Sequence, residues 1–311
     1  MRFALSAQQQ QFSASLGDLL STLDTAGANR AWGAGDPGPG LKIWRRLAEL
    51  GVTALVVPET HDGLGAGPVD LVVAFEQLGR HCVPGPWTDT VAVLPSLLDD
   101  ELLASVATGE TLASLTFAPH VPYALDADVA DVRIAVDGDR LRTFGPGRCL
   151  SSVDASRRLF EVTPGDKLGP ALDVGRAGEL GTLATAAQLL GAGRWLLETS
   201  VAYAGHRRQY GREIGGYQAV KHLLADAATG LELAAPLVFG AAVTLDPRDV
   251  SAAKVAAGEA AHRAARTGLQ VHGAIGYTAE HPLGLRLTRV RALVAAWGTH
   301  RFHRDRILAA R

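Results

Sequence analysis

Along the chain the spacing of apolar positions changes period twice, from helical to alternating and back to helical. Trp44, Leu47 and Leu50 recur at helical spacing and stop at Gly51, which predicts a helix. A short apolar run, a Gly-rich loop at 61–67 and a second helix follow, so residues 1–110 read as a helical domain broken by one loop. Between 111 and 175 the runs LASLTFA, DVRIAV, DRLRTF and RRLFEV are short and β-rich, and Asp137-Gly138 marks a hairpin. They predict a small antiparallel β domain. From 176 to 311 the helical period returns: Leu183, Leu190, Leu197 and Val201 mark one helix, and Val220, Leu224, Ala227, Leu231, Ala234 and Val238 a second. A third spans about 251–270, and a fourth follows Pro282, a natural first-turn residue. Four helices with short connections predict a bundle. The expected fold is mainly α with a small β domain: an N-terminal helical domain, a reduced antiparallel β domain and a C-terminal four-helix bundle.

Composition narrows the function classes. In 311 residues, 47% are apolar and 20% charged, with no uninterrupted apolar run of eighteen, which predicts a soluble globular protein with no membrane partner. The segment MRFALSAQQQQFSASL lacks the basic-then-apolar order of a secretory signal, so a cytoplasmic location is expected. Cys82 and Cys149 lie far apart and in no metal-ligand spacing, which predicts neither a disulfide framework nor a metal site. A net charge of −2 argues against a nucleic-acid partner, because neutralising phosphates requires a basic excess. The positive charge is carried by twenty-six arginines against four lysines, and the planar guanidinium fork suits phosphate and pyrophosphate.

Two places suggest ligand contact. The Gly-rich loop at 61–67 lacks the GKS/T ending of a phosphate loop and reads as a connector. The turn Gly273 to Gly276 instead joins two bundle helices, and glycines there would bring bare backbone N–H groups up to a ligand. His272 beside it reads as a histidine bonded to nearby backbone. The Ala- and Gly-rich face from Leu183 to Gly193 suits close helix packing better than room for a bulky ligand.

Three stretches carry a resemblance to a known family: WRRLAELGVTALVVPETHDGLGAGPVDLVVAFEQLGR, RRQYGREIGGYQAVKHLLAD and QVHGAIGYTAEHPL. Together with the helix–β–helix order they resemble the acyl-CoA dehydrogenases, flavoenzymes that convert a saturated acyl-CoA thioester to its α,β-unsaturated form. The chain is most similar to short actinobacterial members, several linked to steroid catabolism and assembling with a longer partner. The resemblance implies FAD as cofactor and an acyl-CoA, in some members steroid-derived, as substrate. It implies a heterotetramer with a longer acyl-CoA dehydrogenase subunit, or otherwise a homodimer or homotetramer. Arg207 in Arg207-Arg208-Gln209-Tyr210-Gly211 falls where the family binds the FAD pyrophosphate of a neighbouring subunit, with Gln209 and Tyr210 alongside. Gln218, Gln270 and Gly273 match further cofactor contacts, with Ala274 where the family has a second glycine; Gly298-Thr299 match a Gly-Thr pair, which adds Thr299.

The departures concern the flavin ring and the base. The ring-holding segments correspond to 114–126 and 148–154, where Thr116 and Ser151 remain but the family's pattern does not. The reaction needs a carboxylate to take the α-proton, and burial beside the thioester raises its pKa toward the working range. The family's glutamate position before Gly298-Thr299 holds Trp297. A second family location for the base falls on Gly181; Glu179 lies two residues away, about 200° around the helix, and Glu280 lies near the ligand turn. Three readings follow: a subunit supplying the adenosine and pyrophosphate side of an FAD site to a catalytic partner, a self-sufficient dehydrogenase with an unconventional base such as Glu179 or Glu280, or a flavin-free helical binding or scaffold protein.

Overall fold

A computed structural model describes residues 4–278 and 281–309, so Glu280 lies outside the described residues. The N-terminal helices are α1 (Ala7–Ser21), α2 (Thr25–Gly33), α3 (Gly38–Glu49), α4 (Pro68–Arg80) and α5 (Leu102–Ala107). Each start has a local cause. Ser6 and Gln9 form a capping box at α1, Asp24 caps α2 through the Gly27 N–H, and Pro68 opens α4. Between α4 and α5, Thr88–Val93 winds as a π-helical turn, a wide coil that tends to occur at functional sites.

The middle segment forms β1 (Ala113–Phe117), β2 (Ala124–Leu125), β3 (Val132–Asp137), β4 (Arg140–Leu150) and β5 (Leu159–Pro170). The hairpin turns where expected: Asp137 pairs Arg140, and Gly138 takes the left-handed conformation between them at φ 60°. The expectation of an antiparallel sheet needs one correction. The order is β1-β3-β4-β5-β2, and β1 runs parallel to β3, so the sheet is mixed. The chain between them, including β2 at the far edge, crosses over before β3 begins, and no short turn joins the two.

Four long helices follow, α6 (Val174–His206), α7 (Gln218–Thr244), α8 (Pro247–His272) and α9 (Leu283–Ala295), with a two-stranded hairpin, β6 (Arg208–Gln209) and β7 (Arg212–Glu213), between α6 and α7. Beyond the expected four, α10 (His300–Ala309) packs against α8. By length and apolar content α7 is the one described helix that could cross a bilayer; here it packs on α6 and α8.

The small residues of α6 serve packing. A Cβ on Gly191 would collide with the Glu76 carbonyl of α4, and one on Gly79 of α4 with the backbone of Gln188. The two helices touch backbone to backbone through reciprocal glycines. Gly191→Ala is therefore expected to destabilise the protein by about 3 kcal/mol, the upper part of the overpacking range, because backbone cannot step aside. Urea denaturation reads this; an unchanged midpoint would contradict the close approach.

Candidate functional site

The turn between α9 and α10 carries the residue that decides the site's character. Trp297 sits at φ 56°, a left-handed conformation unusual for a bulky residue, and its indole lies flat on α6 at Gly181. A Cβ on Gly181 would stand only 2.5 Å from the ring. Phe117 of β1 closes the other side, ring centroids 5.6 Å apart. The two positions where the resemblance leads one to expect a base thus face each other in space, one holding an indole and the other no side chain.

Buried polar groups pin this turn. His303 accepts from Ser251 Oγ at Nδ1 (3.1 Å) and donates from Nε2 to the Trp297 carbonyl (2.9 Å). Burial pushes its pKa down to about 4, with the charge of Lys254 next in effect, so the neutral ring is the working form. Lys254, fully buried, donates to the Leu293 and Val294 carbonyls at 3.1 Å each, satisfying the end of α9. Burial lowers its pKa to about 7.

Two cavities meet at α9. One, of about 610 Å³, lies between Trp297, the 88–89 turn and the sheet loops, with Asp89, His120, Tyr123, Ser151 and Arg157 in its wall. The other, of about 1240 Å³, is lined by Gln270, Gly273, Arg263, Arg266 and His300. Arg291 and Val294 line both. The smaller cavity draws its walls from the sheet loops and α9, not from the first two bundle helices, and the small residues of α6 are consumed by helix contacts.

Asp89 was not singled out from the sequence. The π-helical turn presents it to the cavity; its Oδ2 accepts from the Leu115 N–H at 2.9 Å, and its Oδ1 accepts no hydrogen bond among the described residues. Burial pushes its pKa up to about 7, against the lowering effect of the Leu115 N–H and Arg157. An aspartate inside the apolar run WTDTVAVLP was the available signal.

Behind the cavity, a buried network ties three regions together. Asp154 pairs with Arg289 of α9; Arg289 also donates to the Val83 carbonyl (3.1 Å) and to Ser156 Oγ (2.8 Å), and Asp154 Oδ1 accepts from the Ser156 N–H and hydroxyl. Trp32 of α2 donates to Asp126 at 3.0 Å. The 151–157 loop that walls the cavity is thereby fixed to both the bundle and the N-terminal helices.

The residues expected at a cofactor fall into separate groups. Gln270 and Gly273 share the larger cavity, and Gly273 has φ 61° with open space where a Cβ would stand. Gly276 faces inward, where a Cβ would meet Leu283, so only one end of the Gly-X-X-Gly turn looks toward a ligand. His272 Nδ1 bonds the Gly268 carbonyl at 2.8 Å, and its ring stacks on Tyr203. Arg207, Gln209, Tyr210 and Gln218 lie exposed at the β6–β7 hairpin and the start of α7, outside both cavities. Tyr210 is 94% exposed. Thr299 caps α10 by accepting from the Phe302 N–H, and its neighbour His300 lines the larger cavity. Glu179 turns to Arg306 of α10 and lines neither cavity.

Residues 6–100 match the acyl-CoA dehydrogenase N-terminal domain and residues 177–311 the acyl-CoA dehydrogenase C-terminal domain. Over 290 residues the chain is 31% identical to the acyl-CoA dehydrogenase IpdE2 of Mycobacterium tuberculosis, covering 91% of this chain and 90% of that one. The chain belongs to the acyl-CoA dehydrogenases. The family fold extends across the whole structure. Butyryl-CoA dehydrogenase from Megasphaera elsdenii superimposes with a TM-score of 0.85, 19% identity and coverage of 100% and 99% of the two chains. A chain of the ChsE4-ChsE5 complex from Mycobacterium tuberculosis gives a TM-score of 0.85, 22% identity and coverage of 99% and 98%. This acyl-CoA dehydrogenase therefore shares the family fold over its length.

Proposed function

We propose that this chain is the non-catalytic subunit of a heteromeric, FAD-dependent acyl-CoA dehydrogenase. It supplies Arg207, Gln218, Gln270 and Gly273 to the adenosine and pyrophosphate side of a cofactor whose ring and base lie in a longer partner. The observation that carries this reading is Trp297 packed on Gly181: a hydrocarbon wall fills the space from which the α-proton would be taken. The larger cavity supports the cofactor half of the reading. Arg263, Arg266 and Arg291 supply guanidinium donors, the one acid in its lining, Glu259, is engaged by Arg304, and Gly273 leaves its backbone bare. When bound, FAD supplies the hydride acceptor for α,β-dehydrogenation. This chain's residues would neutralise the diphosphate and hold the adenosine end.

The surface fits a subunit that is covered in an assembly. Tyr210 on the hairpin and Leu233, Leu237 and Val243 on α7 expose apolar area, and hairpin residues reach outward from the fold. The likeness to the acyl-CoA dehydrogenase IpdE2 supports an acyl-CoA substrate, and that to a chain of the ChsE4-ChsE5 complex fits an assembly of unlike chains; a steroid-derived thioester is the substrate class that the resemblance to short actinobacterial members adds. The expected cytoplasmic location belongs to the same reading.

A second reading, the self-sufficient enzyme, is favoured by one observation: Asp89 presents a free oxygen and a pKa near 7 to the smaller cavity. One experiment separates them. The chain is expressed alone and together with a longer acyl-CoA dehydrogenase as candidate partner, and flavin absorbance and dye reduction by acyl-CoA are recorded. The expected outcome is colourless protein alone and a yellow, active complex. Dye reduction by the single chain, abolished in Asp89→Asn, would establish the second reading instead.

A further inference from the structure

The smaller cavity contains a cation, Arg157, that closes no ion pair among the described residues. Arg157 lies in its wall between β4 and β5, and its guanidinium makes no hydrogen bond or ion pair among the described residues; only its backbone N–H is engaged, by the Asp154 carbonyl at 2.9 Å. Every other charged group around it is accounted for. Asp154 is held by Arg289 and the Ser156 hydroxyl, and Asp126 accepts from Trp32 and the Arg158 N–H. Asp89 accepts one backbone N–H and keeps a free oxygen on the cavity side, and Lys254 spends its donors on the end of α9. Arg291, at the cavity rim, adds a second positive charge.

Asp154, Asp126 and Asp89 act on Arg157 through space, and none of them closes an ion pair on it. Burial pushes Asp89 and Asp126 each up to about 7, so near neutral pH the two acids together carry well under two full negative charges. Asp154 is committed to Arg289, and among the described residues neither Arg157 nor Arg291 closes an ion pair with a carboxylate. An enclosed guanidinium costs several kcal/mol unless an anion meets it, and its planar fork is shaped for a carboxylate. Apolar residues, among them Val121, Leu125, Leu159, Ala295 and Trp297, line one part of the cavity, and Thr88, His120, Tyr123, Ser151 and Ser152 add neutral polar groups.

We infer that this cavity is a binding site for a carboxylate-bearing acyl group, with the ligand's carboxylate on the Arg157 guanidinium, the Asp89 carboxyl beside it and the carbon chain against Trp297. The class of ligand is a dicarboxylic acid held as its mono-thioester. This rests on the acyl-CoA reading above. It adds that the chain binds such a thioester in its own cavity without dehydrogenating it, because Trp297 stands where a base would be.

The test compares adipoyl-CoA with hexanoyl-CoA, equal in chain length and differing in the terminal carboxylate, by calorimetric titration of the chain alone and of the co-expressed complex. Adipoyl-CoA is expected to bind about ten-fold tighter, the value of one charge-assisted contact. Arg157→Gln should remove the preference while hexanoyl-CoA binding stays unchanged and the thermal midpoint does not fall, and Arg157→Lys should restore part of it. Equal affinity for the two thioesters, binding of neither, or a preference that survives Arg157→Gln would overturn the inference. Should Arg157→Gln fail to fold, the wild-type comparison still decides. Flavin content of the complex is measured in parallel: a flavin-loaded complex without carboxylate preference refutes this inference alone, whereas a flavin-free complex refutes the subunit reading.

Discussion

Replacing Asp154 by alanine is expected to cost about 3–5 kcal/mol of stability, among the largest single-residue effects in the chain. Asp154 and Arg289 are each 3% exposed at the side chain, and removing the acid leaves a buried guanidinium without its counter-charge. Arg289 would retain the Val83 carbonyl and Ser156 hydroxyl, which soften the loss without supplying an anion. The effect should depend on pH with a defined sign. Asp154 opposes burial with the charge of Arg289 and the hydrogen bonds of Arg289 and Ser156, which hold its pKa below the ordinary carboxylate value. Its contribution is present above the unfolded value of about 3.9 and is lost as pH falls through the lower folded value. Urea denaturation at pH 7 and at pH 3 should thus show a large difference between wild type and variant at the first and a smaller one at the second. A cost below about 1 kcal/mol at pH 7 would mean that the network does not close as described. Because the same pair anchors the 151–157 loop, partial unfolding should open the smaller cavity first.

The architecture could be read from periodicity because each element buries a face of its own. Leu183 and Leu190 mark α6, and Leu231 and Val238 mark α7, by spacing alone, and all four are buried. The hairpin at Gly138 was equally local. The parallel pairing of β1 with β3 was not, since it depends on where a crossover lands. The smaller cavity was hidden for a related reason. Asp89, Arg157 and Trp297 come from three distant segments, and nothing in their spacing places them in one wall. Glu179, chosen for its nearness in sequence to Gly181, is drawn away by Arg306 more than a hundred residues on. Motif-bearing turns behaved differently again: Gln270 and Gly273 meet in one cavity, while Arg207 and Gln218 point outward, where a second chain would be needed to complete a site.

Arg207→Ala is expected to lower FAD occupancy of the assembled complex by about 10- to 100-fold in affinity, the loss of one or two charge-assisted hydrogen bonds to a diphosphate. The neighbouring arginines allow the assignment to be made sharply. Arg208 donates to the Gly211 carbonyl at 3.1 Å and faces Glu213 across the hairpin, and Arg212 lies over the Tyr217 ring at 3.9 Å. Both have structural employment within the hairpin. The Arg207 side chain has none among the described residues, although its backbone N–H closes α6 on the Tyr203 carbonyl and its own carbonyl accepts from Ile214. Removing the side chain therefore leaves the fold's contacts in place, and the stability change should stay within about 0.5 kcal/mol. Arg207→Lys keeps the charge and loses the fork, so an intermediate occupancy is expected. Flavin absorbance per complex, measured after dialysis against graded FAD, reads all three proteins. Occupancy equal to wild type in Arg207→Ala would refute the pyrophosphate role, and with it the hairpin's part in a shared site. A fall in occupancy with an unchanged melting temperature would mean that this outward-facing arginine works on a cofactor held between chains.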